Sequence, residues 1–266
     1  MSKIAAATPI RDLFTAVGWH LEPGILELAA VNGVREFLDA RRQQLQQQFS
    51  AWVGESVSDG NYAAHQGHLE EYGARNLPKD LRHFLRGEFD LQTRLDQRIM
   101  EVLGTPRCRE FLTGFLGSEQ YFIHYPPMIR FKMARAESSR LPAHQDTPYN
   151  QHLAEFMTVW VPLVVIDDAC GGVVVYEGSQ RDGIVPHESK GAWENSAVAD
   201  LTQYTPRHVL MNPGDILLFP GELLHASAPH RSERIRYSID FRVIKRVEAT
   251  TKSYYDPFAR QIVRRD

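Results

Sequence analysis

Cysteine is scarce. The 266-residue chain carries two, Cys108 and Cys170, too few for a disulfide framework, so free thiols in a reducing compartment are expected. Long hydrophobic runs are missing as well. The longest, Met157 to Ile166, is broken by Thr158 and Pro162 and falls far short of the roughly 20 residues needed to cross a bilayer. The opening MSKIAAATPIRDLF lacks the apolar core of a secretory signal. Charge of one sign is not in excess: 30 Lys+Arg against 33 Asp+Glu leave −3, which gives no electrostatic footprint for nucleic acid or an anionic membrane. No internal repeat is visible, and the glutamines Gln46–Gln48 are too few to count as low complexity. These absences point to a cytoplasmic protein whose partner is a small molecule, to be read from a site.

What is present suits a globular chain: 43% hydrophobic, 10% aromatic and 24% charged residues, enough for a core without staples. The length suits one large domain or two small ones, and with no convincing linker a single domain over 1–266 is expected. Its parts are a helical lead-in over about 1–118, a β core over about 119–247 and a tail over 248–266. In the lead-in, Val31, Val34, Leu38, Leu45 and Phe49 keep helical spacing, with Arg41, Arg42 and several glutamines on a polar face. Leu91, Leu95, Ile99 and Leu103 step along a second helix. Thr105-Pro106 opens a third as N-cap and first helical residue, and Gly117 closes it. Ser50 to Lys79 shows no clear period and is expected to be a long loop.

After Gly117 the period changes to that of strands. Short β-branched and aromatic runs at Ile129–Met133, Met157–Val165, Val173–Tyr176 and Ile216–Phe219 are separated by Gly/Pro turns. From Arg236 to Val243 the alternation is clean, with Arg236, Ser238, Asp240 and Arg242 on one face and Tyr237, Ile239, Phe241 and Val243 on the other. An α+β fold is expected: an antiparallel barrel or jelly roll flanked by helices.

The chemistry is concentrated in His144-Gln145-Asp146. In extended backbone, residues i and i+2 point the same way, so one imidazole and one carboxylate face a common point. His225, shortly after the Ile216–Phe219 strand, is the candidate third ligand. Two histidines and a carboxylate on one face leave positions open on non-haem Fe(II). An H-x-D is easily met by chance among 11 histidines; its surroundings give it weight. Ser227 follows His225 by two, and an antiparallel return brings Arg236 and Ser238 near the metal. There a guanidinium fork can hold a carboxylate, with a serine donating a further hydrogen bond. The competing account of that face is solvent exposure. The remaining histidines are assigned to surface or structural roles.

His144-Gln145-Asp146-Thr147-Pro148-Tyr149, Thr158 to Leu163, Cys170-Gly171-Gly172-Val173, Glu177-Gly178-Ser179, Gly214-Asp215 and His225-Ala226-Ser227 stand in the family order of the phytanoyl-CoA dioxygenases. Over about residues 120–245 the chain resembles that family of Fe(II)/2-oxoglutarate oxygenases. The resemblance implies a double-stranded β-helix (a cupin-like jelly roll) with His144, Asp146 and His225 as iron ligands. It also implies Arg236, helped by Ser227, on the distal carboxylate of 2-oxoglutarate, and Trp160 lining the cosubstrate pocket. Arg130 and Lys132 are the nearest candidates for the basic residue that the family uses from an earlier element. The implied reaction consumes O2 and 2-oxoglutarate, releases succinate and CO2, and hydroxylates a C–H bond. Asp146 leaves no place for the halide of the related halogenases. Glu177-Gly178-Ser179-Gln180 and His230 depart from the family pattern at positions that bear on substrate recognition. Tyr149 to His152 either line the mouth, which suits a polar substrate, or form a solvated loop. An oxygenase acting on a protein, and a metal-binding or sensory barrel without turnover, stay open.

Overall fold

The structure, a computed structural model, describes residues 7–135, 141–189 and 195–265. Met1–Ala6 of the N-terminal reading, and Asp266 of the tail, lie outside them. The helices are α1 (Ala7–Val17), α2 (Leu28–Val53), α3 (Tyr62–Gly67), α4 (Leu69–Ala74), α5 (Lys79–Leu85), α6 (Leu91–Arg94), α7 (Gln97–Glu101) and α8 (Pro106–Leu116). The strands begin with β1 (His20–Glu22), β2 (Phe122–His124), β3 (Met128–Lys132), β4 (Met157–Pro162), β5 (Val173–Glu177), β6 (His187–Ser189) and β7 (Asn195–Ala197). They continue with β8 (Thr205–His208), β9 (Ile216–Pro220), β10 (His225–Ser227), β11 (Arg236–Ile244), β12 (Tyr254–Asp256) and β13 (Gln261–Val263).

The strands form a large antiparallel sheet in the order β1-β9-β4-β11-β2-β12-β13, with β3 beside the first half of β11, and a small sheet β10-β5-β8. The expected jelly roll with flanking helices is present. Its boundaries are wider than the sequence pattern suggested. His20–Glu22 of the helical lead-in pairs with β9, and the tail returns as β12 and β13 on the same sheet.

Both faces of the large sheet are covered, so β4 and β9 are apolar almost throughout, whereas β11 alternates polar and apolar residues. Val159, Val161, Ile216, Leu218, Tyr237, Ile239 and Phe241 share one hydrophobic cluster with Val31, Leu38 and Phe49 of α2 and with Phe84 and Leu112. Trp160, Leu217 and Phe219, one residue out of step, pack instead with Val173, Val175 and Leu223 of the β5–β10 side. Cys170 belongs to this inner cluster and Cys108 to the outer one; both are free and buried, and burial pushes the Cys108 thiol up to about 12.

Three local readings are corrected. The expected loop from Ser50 to Lys79 contains the last turn of α2 and the short helices α3 and α4, anchored by Tyr62 and Tyr72. The Leu91–Leu103 periodicity spans two short helices because Asp90 and Asp96 each accept hydrogen bonds as N-caps, at 3.1 and 3.0 Å. Helix α8 begins and ends where expected, with Thr105 capping Cys108 N–H and Gly117 at φ 66°. Arg42, assigned to a polar face, is buried: its Nε donates to Tyr237 Oη at 2.8 Å and its Nη1 to Gln46.

Tyr237 Oη in turn donates to Asp39 Oδ1 at 2.6 Å, so one hydroxyl ties α2 to the back of β11. Tyr237→Phe leaves a buried guanidinium N–H and a carboxylate short of a partner. It is expected to destabilise the fold by about 1–3 kcal/mol, read as a lowered denaturant midpoint. Metal affinity should not change, because Tyr237 faces away from the inter-sheet cavity.

Candidate metal centre and its cavity

His144 lies outside a regular strand but is bridged to His225 at the start of β10, by backbone hydrogen bonds of 2.9 Å in both directions. This bridge brings together two side chains 81 positions apart. Asp146 follows, its N–H held by Gly221 O at 2.8 Å. Gln145, between the ligand candidates, is fully buried and acts as a clamp. Its amide nitrogen donates to Gly183 O and Glu222 O, and its Oε1 accepts from Val185 N–H.

Asp146 Oδ1 lies 4.0 Å from His144 Nε2 and 3.8 Å from His225 Nε2. The three donor atoms all fall within 4.8 Å of one another. Nδ1 of each histidine faces a backbone oxygen, Pro142 O at 2.8 Å and Leu223 O at 3.0 Å. This places the N–H on Nδ1 and leaves the Nε2 lone pairs aimed at a common point. Burial, with His225 alongside, pushes His144 down to about 3, so it stays neutral. For Asp146, burial pushes the carboxyl up, but Arg242, the two histidines and the Thr158 hydroxyl outweigh it and hold it well below the usual range. Two imidazoles and one carboxylate, buried and converging, fit a divalent transition metal with open positions.

Both sheets wall the cavity that holds this trio. The strand alternation sends Arg236, Asp240 and Arg242 inward beside Arg130, Thr158 and Trp160, facing Gly172, Val173 and Ser227. The polar face of β11 is therefore not solvated. Arg236 is 3% exposed and Ser238 fully buried. The Arg236 guanidinium sits 5.8 Å from the Trp160 ring and makes one long contact, Nη1 to Gly171 O at 3.4 Å. Its Nε and Ser238 Oγ have no hydrogen-bond partner among the described residues. Burial pushes the guanidinium down to about 10, against the Asp240 carboxylate. A buried guanidinium with an unspent donor on the cavity wall is a receptor for an anion. Gly171 permits the close approach of this wall: a Cβ there would meet Ala228 O at 2.5 Å and Pro229 O at 2.6 Å.

The other sequence candidates separate. Arg130 lines the cavity, but Glu88 at 3.2 Å and Asp240 at 3.7 Å already engage it. Lys132 stands opposite Arg236 in register. Tyr149 is half-exposed, with its ring edge-on to His144 at 5.6 Å. His152 turns away to His124, Nε2 to Nε2 at 3.2 Å. His230, at the family's departure point, is buried and bonded to Arg234 O at 2.9 Å. Asp215 holds a turn by accepting from Gly24 N–H and Asn212 N–H. The sequence reading missed Thr158 and Arg242 as partners of Asp146. Their signals were a lone hydroxyl inside an apolar strand and the fourth member of the Arg236 face.

Fold and site together define a jelly-roll protein with a two-histidine, one-carboxylate centre. The phytanoyl-CoA dioxygenase (PhyH) family model matches residues 27–238, and the chain belongs to this family. A Caenorhabditis elegans protein described as a probable phytanoyl-CoA dioxygenase is 37% identical over 111 residues, 38% of this chain and 35% of that one. A 1-deoxypentalenic acid 11-beta-hydroxylase of Streptomyces exfoliatus is 28% identical over 144 residues, 47% of this chain and 50% of the relative. The matches thus span half or less of these relatives' own lengths. Among solved structures, the epimerase SnoN in complex with Fe3+, alpha ketoglutarate and nogalamycin RO has the same fold. Its TM-score is 0.58 at 16% identity, covering 91% of this chain and 84% of that one.

Proposed function

We propose that this protein is an Fe(II)- and 2-oxoglutarate-dependent dioxygenase that hydroxylates, or otherwise oxidises, a C–H bond of a small polar metabolite, with release of succinate and CO2. The observation that carries the proposal is the juxtaposition of the His144–Asp146–His225 trio with the buried Arg236 guanidinium in one cavity, its Nε without a hydrogen-bond partner among the described residues. Family membership and the iron and alpha ketoglutarate held by SnoN support it.

In this reading His144, Asp146 and His225 hold the iron. Arg236 grips the distal carboxylate of 2-oxoglutarate, with Ser227 and Ser238 donating to it. Trp160 walls the pocket, and Arg130, spent on Glu88 and Asp240, braces it. Iron with 2-oxoglutarate and O2 supplies the oxidant. The chain orients both and excludes water. The helical lead-in and the jelly roll act as one unit, which their shared hydrophobic cluster supports. A metal-binding barrel without turnover has no use for a buried, unpaired guanidinium beside the metal. Among the described residues no helix is long and apolar enough to cross a membrane.

Incubation with Fe(II), 2-oxoglutarate and O2 is expected to yield succinate, faster when the right metabolite in a screen of polar small molecules is added. Absence of succinate above the iron-only background across the screen would refute the oxygenase assignment.

A further inference from the structure

We propose that Arg242 is a built-in competitor for the metal: it holds down the metal affinity of the empty centre and makes metal and anionic cosubstrate bind cooperatively. The inference rests on the reading of His144, Asp146 and His225 as the metal ligands. It concerns a residue to which that reading gives no part.

Arg242 Nη2 is 2.9 Å from Asp146 Oδ1, the carboxylate oxygen that faces both imidazoles. The other oxygen, Oδ2, accepts from Thr158 Oγ1 at 2.7 Å, and the Asp146 backbone N–H is fixed on Gly221 O. The carboxylate is thus oriented without the arginine. What Arg242 adds at Oδ1 is a positive charge, with its side chain 13% exposed. A guanidinium and a divalent cation sharing one oxygen in a partly desolvated cavity repel each other by several RT. Arg242 therefore acts on metal uptake as a rival.

The rivalry reverses once an anion enters. Arg130, Arg236 and Arg242 line this cavity with Asp146 and Asp240, and Glu88 holds Arg130, so the charges are already matched and a divalent cation adds two more positive ones. When the cation takes over the Asp146 charge, Arg242 keeps only Asp240, which Arg130 shares at 3.7 Å, and a largely buried cation short of its matched partner is costly. Among the described residues its Nε already lacks a hydrogen-bond partner. A dicarboxylate in the same cavity relieves both cations together. By linkage, each ligand then strengthens the other by the same factor. Arg242 is a positioning residue in this scheme: it acts through Asp146 and sets the order in which the site fills.

The test uses the full chain and Mn(II), followed by the electron paramagnetic resonance signal of the free ion, with and without 2-oxoglutarate. Arg242→Gln is expected to bind Mn(II) alone about tenfold or more tightly than the wild type. It should also lose most of the strengthening that 2-oxoglutarate gives the wild type. Arg242→Lys keeps the charge and should stay close to the wild type in Mn(II) alone. Circular-dichroism melts check that both variants are folded, and the lysine variant keeps the test decisive if the glutamine variant is not. Equal or weaker Mn(II) binding by folded Arg242→Gln would overturn the proposal, because an arginine needed only to orient Asp146 or to support the fold gives that sign. Tenfold tighter binding by Arg242→Lys would overturn it as well. A wild type that binds no Mn(II) would instead remove the metal-centre reading on which the proposal stands.

Discussion

Alanine at His144, Asp146 or His225 is expected to abolish succinate formation and to weaken metal binding by more than about a hundredfold, beyond what loss of an outer-shell partner costs. The three variants should differ in stability, and the difference is diagnostic. The bridge between residues 144 and 225 is made by backbone groups, so His144→Ala and His225→Ala keep it and should melt close to the wild type. Asp146→Ala removes the partner of both Arg242 and Thr158 and leaves a guanidinium unpaired in the cavity. That variant should lose about 3–5 kcal/mol of stability, and Asp146→Asn less, because its amide oxygen still accepts. Metal titration, thermal melts and succinate assays on the same preparations separate these effects. Normal turnover in any one variant would take that residue out of the ligand set.

Arg236→Gln is expected to raise the 2-oxoglutarate requirement some tens- to thousands-fold. The side chain is buried, stacked toward Trp160 and, among the described residues, held by a single long hydrogen bond, which leaves most of its donor capacity for the cosubstrate. Breaking one side of a buried, hydrogen-bonded charge pair costs about 2–5 kcal/mol. Arg236→Lys keeps the charge but loses the planar fork, and should fall between glutamine and wild type. Arg234→Gln is the control. Two residues earlier, Arg234 is 45% exposed and paired with Asp167 and Ser232 outside the cavity, so its loss should leave the 2-oxoglutarate dependence unchanged. Iron affinity without cosubstrate should not fall in either Arg236 variant. Equal, small effects at Arg236 and Arg234 would remove the cosubstrate assignment.

The jelly roll was legible because its strands carry a period of two and its turns carry glycine and proline. The ligand candidates were legible because H-x-D sets an imidazole and a carboxylate two positions apart and the motifs around it and His225 gave the set its weight. What the sequence hid depends on contacts across long separations. Arg42 looks like a surface residue until Tyr237, 195 positions away, supplies its acceptor. The 91–103 periodicity concealed a break, because a capping aspartate interrupts a helix without disturbing its apolar spacing. Solvent and cavity are indistinguishable from a polar strand face alone, so only the opposing β5 and β10 strands show which one Arg236 and Arg242 meet. Thr158 and Arg242 were missed for the same reason: their shared partner lies on a different element.

Strand β11 turns Arg236, Asp240 and Arg242 into the cavity, with Ser238 buried on the same face, and its odd-numbered side chains into the outer core. Its coding is therefore intolerant of changes in length. Deleting or inserting a single residue between Ser238 and Phe241 would exchange the two faces downstream, turning Arg242 into the hydrophobic core and an aromatic ring onto the metal centre. Catalysis and folding would fail together, whereas point substitutions on either face affect one or the other. Descendants of this gene can vary in length on either side of the strand, but within these positions they can diverge only by replacement.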